Sequence, residues 1–192
     1  MSAALKTDDY MYTYKMYCEM PDDGKRYEII DGVPYMMAAP SRQHQAVQRE
    51  IFGRLYVFLQ GKPCEVFVAP FDVRLSLYRD FGDDAINVVQ PDVMVFCDQS
   101  RLDEKGGTGA PDIAVEILSP SSAMNDRHRK FSLYERAEVK EYWIVDGANK
   151  TVEVFVLHEG KLNLHAFLLP GDRLASTVLS GFEFDVSSIF TG

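Results

Sequence analysis

Apolar residues along this chain recur with two periods, and the order in which those periods alternate predicts its elements. Thr7, Asp8 and Asp9 have the chemistry of a helix cap and an acidic first turn, and the Tyr- and Met-rich run after them reads as a short helix that stops before Pro21. A turn over 22–25 leads to two short strands, 26–30 and 33–37. The Asp31-Gly32 pair between them is a strong hairpin signal, because a tight hairpin turn needs residues that tolerate positive φ. Pro40 and Ser41 then open a second helix, in which Val47, Ile51, Leu55, Phe58 and Leu59 recur at three- and four-residue spacing until Gly61 ends it. Such a face must pack on a sheet.

Residues 64–77 hold two near-alternating β segments around Pro70, and 86–96 reads as one further strand after the polar stretch from Asp80 to Asp84. Gly106, Gly107 and Gly109 predict a flexible loop. Residues 112–118 form an apolar run broken by a single carboxylate, Glu116, and closed by Ser119, Pro120, Ser121 and Ser122, a pattern expected at the centre of a sheet. Asn125 or Asp126 caps a third helix reaching Ala137, and residues 141–145, 151–157 and 162–168 follow as a β-meander. With neither an internal repeat nor a dividing linker, an α+β fold in one domain over 1–192 is expected.

Composition narrows the function classes. At 192 residues, 46% hydrophobic and 26% charged, the balance is that of a globular chain long enough for one sizeable core. Lys6, Asp8, Asp9 and Lys15 interrupt the first twenty residues before a signal peptide could form, and no stretch is apolar enough to span a membrane. Cys18, Cys64 and Cys97 are odd in number, widely spaced and without a Cys-x-x-Cys pair, so a reducing cytoplasm is the simplest location. The net charge of -9 weighs against a nucleic-acid partner, since phosphate binding needs a basic surface. It leaves room for one: a metal site itself gathers carboxylates, and a local basic stripe can face phosphate on an acidic protein.

Glu116 carries the most information, because a carboxylate in a buried strand costs several kcal/mol unless it is paired or bound to a metal. A core ion pair with Arg127 or Arg129 and a metal-ligand role both satisfy that condition. Asp112 lies four residues away on the same strand, which at ~3.3 Å per residue is roughly 13 Å, too far to share one ion comfortably. Asp92, after Gln90-Pro91 on the preceding strand, is the better second ligand, and the main-chain carbonyl of Ile117 stands next to Glu116. Phosphodiester hydrolysis also wants a cation beside the reacting centre. Lys130 fits, on a helical stripe with Arg127 and Tyr134, although a plain surface pair with Asp126 would explain it too. The run Arg127-His128-Arg129-Lys130 is the densest basic segment, and a solvated helix face is its simplest reading. His44 begins the second helix and reads as a surface residue able to touch a phosphate, while His158 and His165 lie away in the meander. Motifs for zinc, for nucleotide-phosphate loops and for a serine nucleophile are missing.

Taken in order, Arg26-Tyr27-Glu28-Ile29-Ile30-Asp31-Gly32, Gln90-Pro91-Asp92-Val93, the run from Gly109 to Ser121 and Glu141-Tyr142-Trp143-Ile144-Val145-Asp146 resemble the Uma-two family of endonuclease-like proteins, within the PD-(D/E)XK superfamily. The resemblance covers about Thr7 to at least Phe167. It implies a restriction-endonuclease-like mixed sheet flanked by helices, with the motif aspartate at Asp92, the motif glutamate at Glu116 and Glu28 close by. The superfamily lysine should stand two residues after the glutamate, where this chain has Leu118. The following helix would supply it instead, as Lys130.

The expected function is therefore hydrolysis of phosphodiester bonds in DNA, with Mg²⁺ or Mn²⁺ held by Asp92, Glu116 and the Ile117 carbonyl. Lys130 would orient water or offset charge, and Glu28 would act beside them. A homodimer follows if both strands of a duplex are cut. A scaffold protein that keeps the fold without catalysis, and a hydrolase of small phosphate esters, are the competing expectations.

Overall fold

The computed structural model describes residues 11–77, 82–119 and 125–190. Its first helix, α1 (Tyr14–Cys18), is capped by Thr13, whose Oγ1 accepts from the Met16 N–H at 3.4 Å. Thr7, Asp8 and Asp9, expected to cap it, lie outside the described residues. Strands β1 (Tyr27–Ile30) and β2 (Val33–Met36) form the expected hairpin, with Asp31 at φ 50° and Gly32 at φ 73° in its turn. Ser41 caps α2 (Arg42–Leu59) through a 3.1 Å bond from the His44 N–H, and the helix buries Val47, Ile51, Leu55 and Leu59 as its periodicity predicts.

Strands β3 (Glu65–Val68) and β4 (Val73–Arg74) flank Pro70. The run 86–96 is not one strand but two, β5 (Val88–Val89) and β6 (Val93–Phe96), which belong to different sheets. Pro91 lies between them without an N–H to continue a ladder. The glycine-rich segment is also not a loop: β7 (Leu102–Asp103) and β8 (Gly106–Thr108) pair with each other, and β8 runs parallel to β4. A Cβ on Gly107 would sit 2.6 Å from the Phe96 ring, so glycine there permits close packing.

The apolar run around Glu116 is β9 (Ile113–Ile117), buried along its whole length. The third helix begins as a π-helical turn, Asn125–Lys130, and continues as α3 (Phe131–Arg136). The meander follows as β10 (Glu141–Asp146), β11 (Thr151–His158) and β12 (Lys161–Leu168). A further hairpin, β13 (Arg173–Ala175) with β14 (Glu183–Asp185), and a 3-10 turn, Val186–Ile189, close the described chain.

The main sheet has the order β12-β11-β10-β9-β6-β3, and β9 is central, parallel to β10 and antiparallel to β6. On one face, Ile113, Val115 and Ile117 pack with α2 and the C-terminal hairpin. On the other, Met94, Ala114 and Ile144 pack with α3 and with the second sheet, β2-β1-β5-β4-β8-β7. Glu116 shares the alternation of Ala114, so its side chain enters the layer between the two sheets.

Cys64 and Cys97 form a disulfide, contrary to the expectation of unpaired cysteines; they directly flank the paired residues Glu65 and Phe96 of β3 and β6. Cys18 is an exposed thiol. The cysteines thus no longer argue for a reducing compartment. Among the described residues, no helix is long and apolar enough to cross a membrane.

Candidate active site

The carboxylate of Glu116, 3% exposed, meets an ammonium and a hydroxyl. Lys130 Nζ lies 2.9 Å from Glu116 Oε1, and the Tyr134 hydroxyl donates to the same oxygen at 2.6 Å. Glu28 Oε1 closes the cluster, 2.8 Å from Lys130 Nζ and accepting the Gln90 N–H at 2.8 Å. Glu28 and Lys130 are 6% and 4% exposed, so this is a buried ion-pair network. Such a network tolerates burial only because every charge has a partner of opposite sign. Burial, then the neighbouring Glu116 charge, pushes the Tyr134 hydroxyl well above its ordinary range. Tyr134 therefore stays a hydrogen-bond donor at any physiological pH.

Helix geometry explains why Lys130 turns inward. A run of α-helix would align 127, 130 and 134 on one stripe, but the π-helical turn changes the register before Lys130. Lys130 and Tyr134 point together into the core as expected; Arg127 does not, and pairs instead with Glu153 of β11 at 2.6 Å. The Arg127 and Arg129 alternatives for neutralising Glu116 thus give way to Lys130. Lys130 is not a surface residue, being paired with two buried carboxylates; the Asp126 side chain, its other expected partner, lies outside the described residues.

Asp92 stands at the end of the β6–β9 ladder. The register Val93 to Val115 and Val95 to Ile113, continued by one step, sets Pro91 opposite Ile117. Pro91 cannot supply a ladder donor, and Asp92 Oδ2 takes the Ile117 N–H at 2.7 Å in place of a main-chain acceptor. The N–H and C=O of one extended residue point to the same neighbouring strand, so the Ile117 carbonyl faces this edge, with no N–H on Pro91 to meet it. From α2, one turn apart, His44 Nε2 lies 3.1 Å from Asp92 Oδ2 and Gln48 Nε2 donates to the Asp92 carbonyl at 2.7 Å. His44 is therefore not a surface histidine: its side chain is largely buried, and its Nδ1 has no hydrogen-bond partner among the described residues.

These donors suit a hard divalent ion that keeps several waters, because Mg²⁺ or Mn²⁺ needs only one or two carboxylates and a main-chain carbonyl from the protein. Asp92, Glu116 and the Ile117 carbonyl could offer those groups, since the ladder continued past Val93 and Val115 sets Asp92 opposite Glu116. Among the described residues, no three His, Cys, Asp or Glu side chains gather as a metal cluster, so a closed zinc-type cage is not what this site offers. Asp112 stands apart, accepting the Cys97 N–H at 2.7 Å and pairing with Lys140 at 2.6 Å. The residues that sequence reasoning missed are Gln48 and Gln90, both buried. A buried amide facing a carboxylate leaves no trace in sequence periodicity.

Residues 14–187 match the model of the Uma2 family, described as "Putative restriction endonuclease". Two curated relatives come from Synechocystis sp. and are titled uncharacterized proteins. The first, slr1290, is 27% identical over 175 residues, 88% of this chain and 85% of its own length. The second, sll1609, is 25% identical over 125 residues, 64% and 67% of the two lengths. Among solved structures, the crystal structure of a "putative nuclease belonging to DUF820" from Anabaena variabilis superposes with a TM-score of 0.72 at 20% identity, covering 93% of this chain and 97% of that one. The expected mixed-sheet, nuclease-like α+β fold is thereby borne out.

Proposed function

This chain belongs to the Uma2 family, and on that premise we propose that it is a metal-dependent endonuclease hydrolysing phosphodiester bonds in DNA. The observation that carries the reading is the placement of Lys130 between Glu28 and Glu116, with Glu116 next along β9 to Ile117, whose N–H the Asp92 carboxylate accepts. A magnesium or manganese ion held by Asp92, Glu116 and Ile117 would supply Lewis-acid polarisation of phosphate and activation of water.

The protein's own groups have separable tasks. Glu28 and Tyr134 fix the positions of Lys130 and Glu116. Lys130, an ammonium inside a dry layer, opposes negative charge that builds on phosphate oxygens more strongly than it would in water. His44 and the Ile117 N–H hold Asp92 at the end of the β6–β9 ladder. Cutting both strands of a duplex would take two such sites, so a two-fold pair of chains belongs to the proposal, as does action on DNA in the cytoplasm. The competing reading, a binding protein without turnover, has one observation in its favour: Lys130 is already clamped by two carboxylates.

Thermal melting with metal tests the site. Millimolar Mg²⁺ or Mn²⁺ should raise the melting temperature of the native chain by mass action and leave that of Asp92→Asn unchanged. An unshifted native protein, or an equal shift in both, contradicts the metal assignment.

A further inference from the structure

Strand β12 ends the main sheet, and among the described residues no further strand pairs with its outer side. An eight-residue edge offers a row of N–H and C=O groups for pairing, and such edges are ordinarily guarded by charged side chains or proline. This one is not. From Leu162 to Leu169 the only titratable side chain is His165, and no carboxylate stands between Lys161 and Gly171 in a chain whose net charge is -9. Leu164 and Phe167 are 56% and 55% exposed, and Leu169, just past the strand, is exposed as well.

Pairing with β11 puts the first two on one face. Phe155 stands opposite Leu164 and Val154 opposite Ala166, so His165 is the extra residue of a β-bulge. Leu164 and Phe167, opposite Phe155 and Glu153, therefore point to the same side of the sheet although they are three residues apart. Each stands one ladder step from Ala166. We propose that β12 is the surface on which two copies of this chain pair, antiparallel about a two-fold axis at Ala166, joining their main sheets edge to edge. That axis sets Leu164 of each copy against Phe167 of the other. An isologous contact needs a patch that complements itself, and an apolar stripe spaced evenly about one residue does so by symmetry. Charge favours the same occupant, because two acidic copies repel least where neither carries a carboxylate. The inference deepens the two-fold pair in the reading above by giving it a surface, and it is read from mass rather than cleavage.

The test is sedimentation velocity over a series of protein concentrations. The native chain should sediment at about twice its 21.8 kDa mass. Leu164→Glu and Phe167→Lys each set a charge against an apolar side chain at both contacts, and each should sediment as a monomer. Both positions are exposed, so the variants should keep the native circular dichroism. Mixing the two in equal amounts should restore a dimer: one contact then joins the introduced carboxylate to the introduced ammonium, and the other keeps Leu164 on Phe167. A native protein that stays monomeric at every concentration, or a dimer that either variant leaves intact, overturns the inference. Folded monomeric variants that do not reassociate on mixing overturn the axis at Ala166. A monomer that cleaves DNA overturns the inference alone, whereas a β12 dimer that neither binds metal nor cleaves overturns the nuclease reading alone.

Discussion

Glu28 and Glu116 stand in different sheets and meet on one ammonium: Lys130 Nζ is 2.8 Å from Glu28 Oε1 and 2.9 Å from Glu116 Oε1. Lys130 thus ties the two sheets together as well as charging the site. Removing it leaves two buried carboxylates without the ammonium that bridges them. Lys130→Met should therefore cost about 3–5 kcal/mol of stability, measured by urea unfolding at neutral pH. A variant as stable as the native chain would mean that water reaches these carboxylates and that the network is not dry. For the same reason, loss of activity in a Lys130 variant is informative only under conditions where the variant is shown to be folded.

Another buried carboxylate, Glu141, has no cation partner among the described residues and is satisfied by neutral donors. Its Oε1 accepts the Trp143 indole N–H at 2.6 Å, and its Oε2 accepts the N–H and the hydroxyl of Thr177, each at 2.7 Å, and the Val178 N–H at 3.1 Å. This is a structural staple between β10 and the segment before β14. Glu141→Gln turns one acceptor into a donor facing other donors and should destabilise the fold by roughly 2–4 kcal/mol. Hydrogen exchange should rise first at Thr177 and Val178. Unchanged protection there would show that the segment is held by its apolar contacts instead.

Asp72 gives a pH-dependent prediction. Burial holds its carboxyl above the ordinary value of 3.8, against the lowering effect of hydrogen bonds from Gln90 and Tyr14. A carboxyl raised in the folded state contributes stability below its unfolded value and loses that contribution as pH rises through the folded value. At neutral pH its charge is a cost. Asp72→Asn keeps an acceptor for Gln90 Nε2, which donates to Asp72 Oδ1 at 2.8 Å, and removes the charge. Its stability relative to the native protein should improve between about pH 4 and neutrality. A difference that does not change with pH would contradict this.

Local chemistry made the regular parts of the fold legible in the sequence. Asp31-Gly32 fixes a hairpin by backbone preference, and the spacing from Val47 to Leu59 fixes an amphipathic helix, so neither depends on distant partners. The C-terminal hairpin was invisible because β13 and β14 bury one residue each, Leu174 and Phe184, too few to display a period. Reading 86–96 as one strand failed because apolar residues continue across a change of sheet that only Pro91 marks. Gly106 and Gly107 looked like a loop because glycine serves tight packing as well as turns.

The site was legible to the extent that one residue was improbable. Glu116 stands out as a charge in a buried strand, and the structure shows it buried and paired. Lys130 is singled out by its helical stripe with Tyr134 and by family resemblance, but periodicity groups Arg127 with it as well, and the π-helical turn separates those two. Asp92 to His44 is a contact across 48 positions. No local pattern encodes it; it exists because α2 packs on the face of the sheet that ends at Asp92. The Cys64–Cys97 bond has the same origin, in a strand pairing that cysteine spacing does not reveal.

The central claim is that Asp92, Glu116 and Lys130 form a metal-dependent phosphodiesterase site, and cleavage of supercoiled plasmid DNA tests it most directly. Purified native protein should nick or linearise the plasmid in Mg²⁺ or Mn²⁺ and stop in EDTA. Glu116→Gln, shown to be folded by its melting curve, should cleave at least about a hundredfold more slowly in the same metal. Native protein that leaves the plasmid intact in both metals, or a folded Glu116→Gln variant that cleaves at the native rate, would contradict the account.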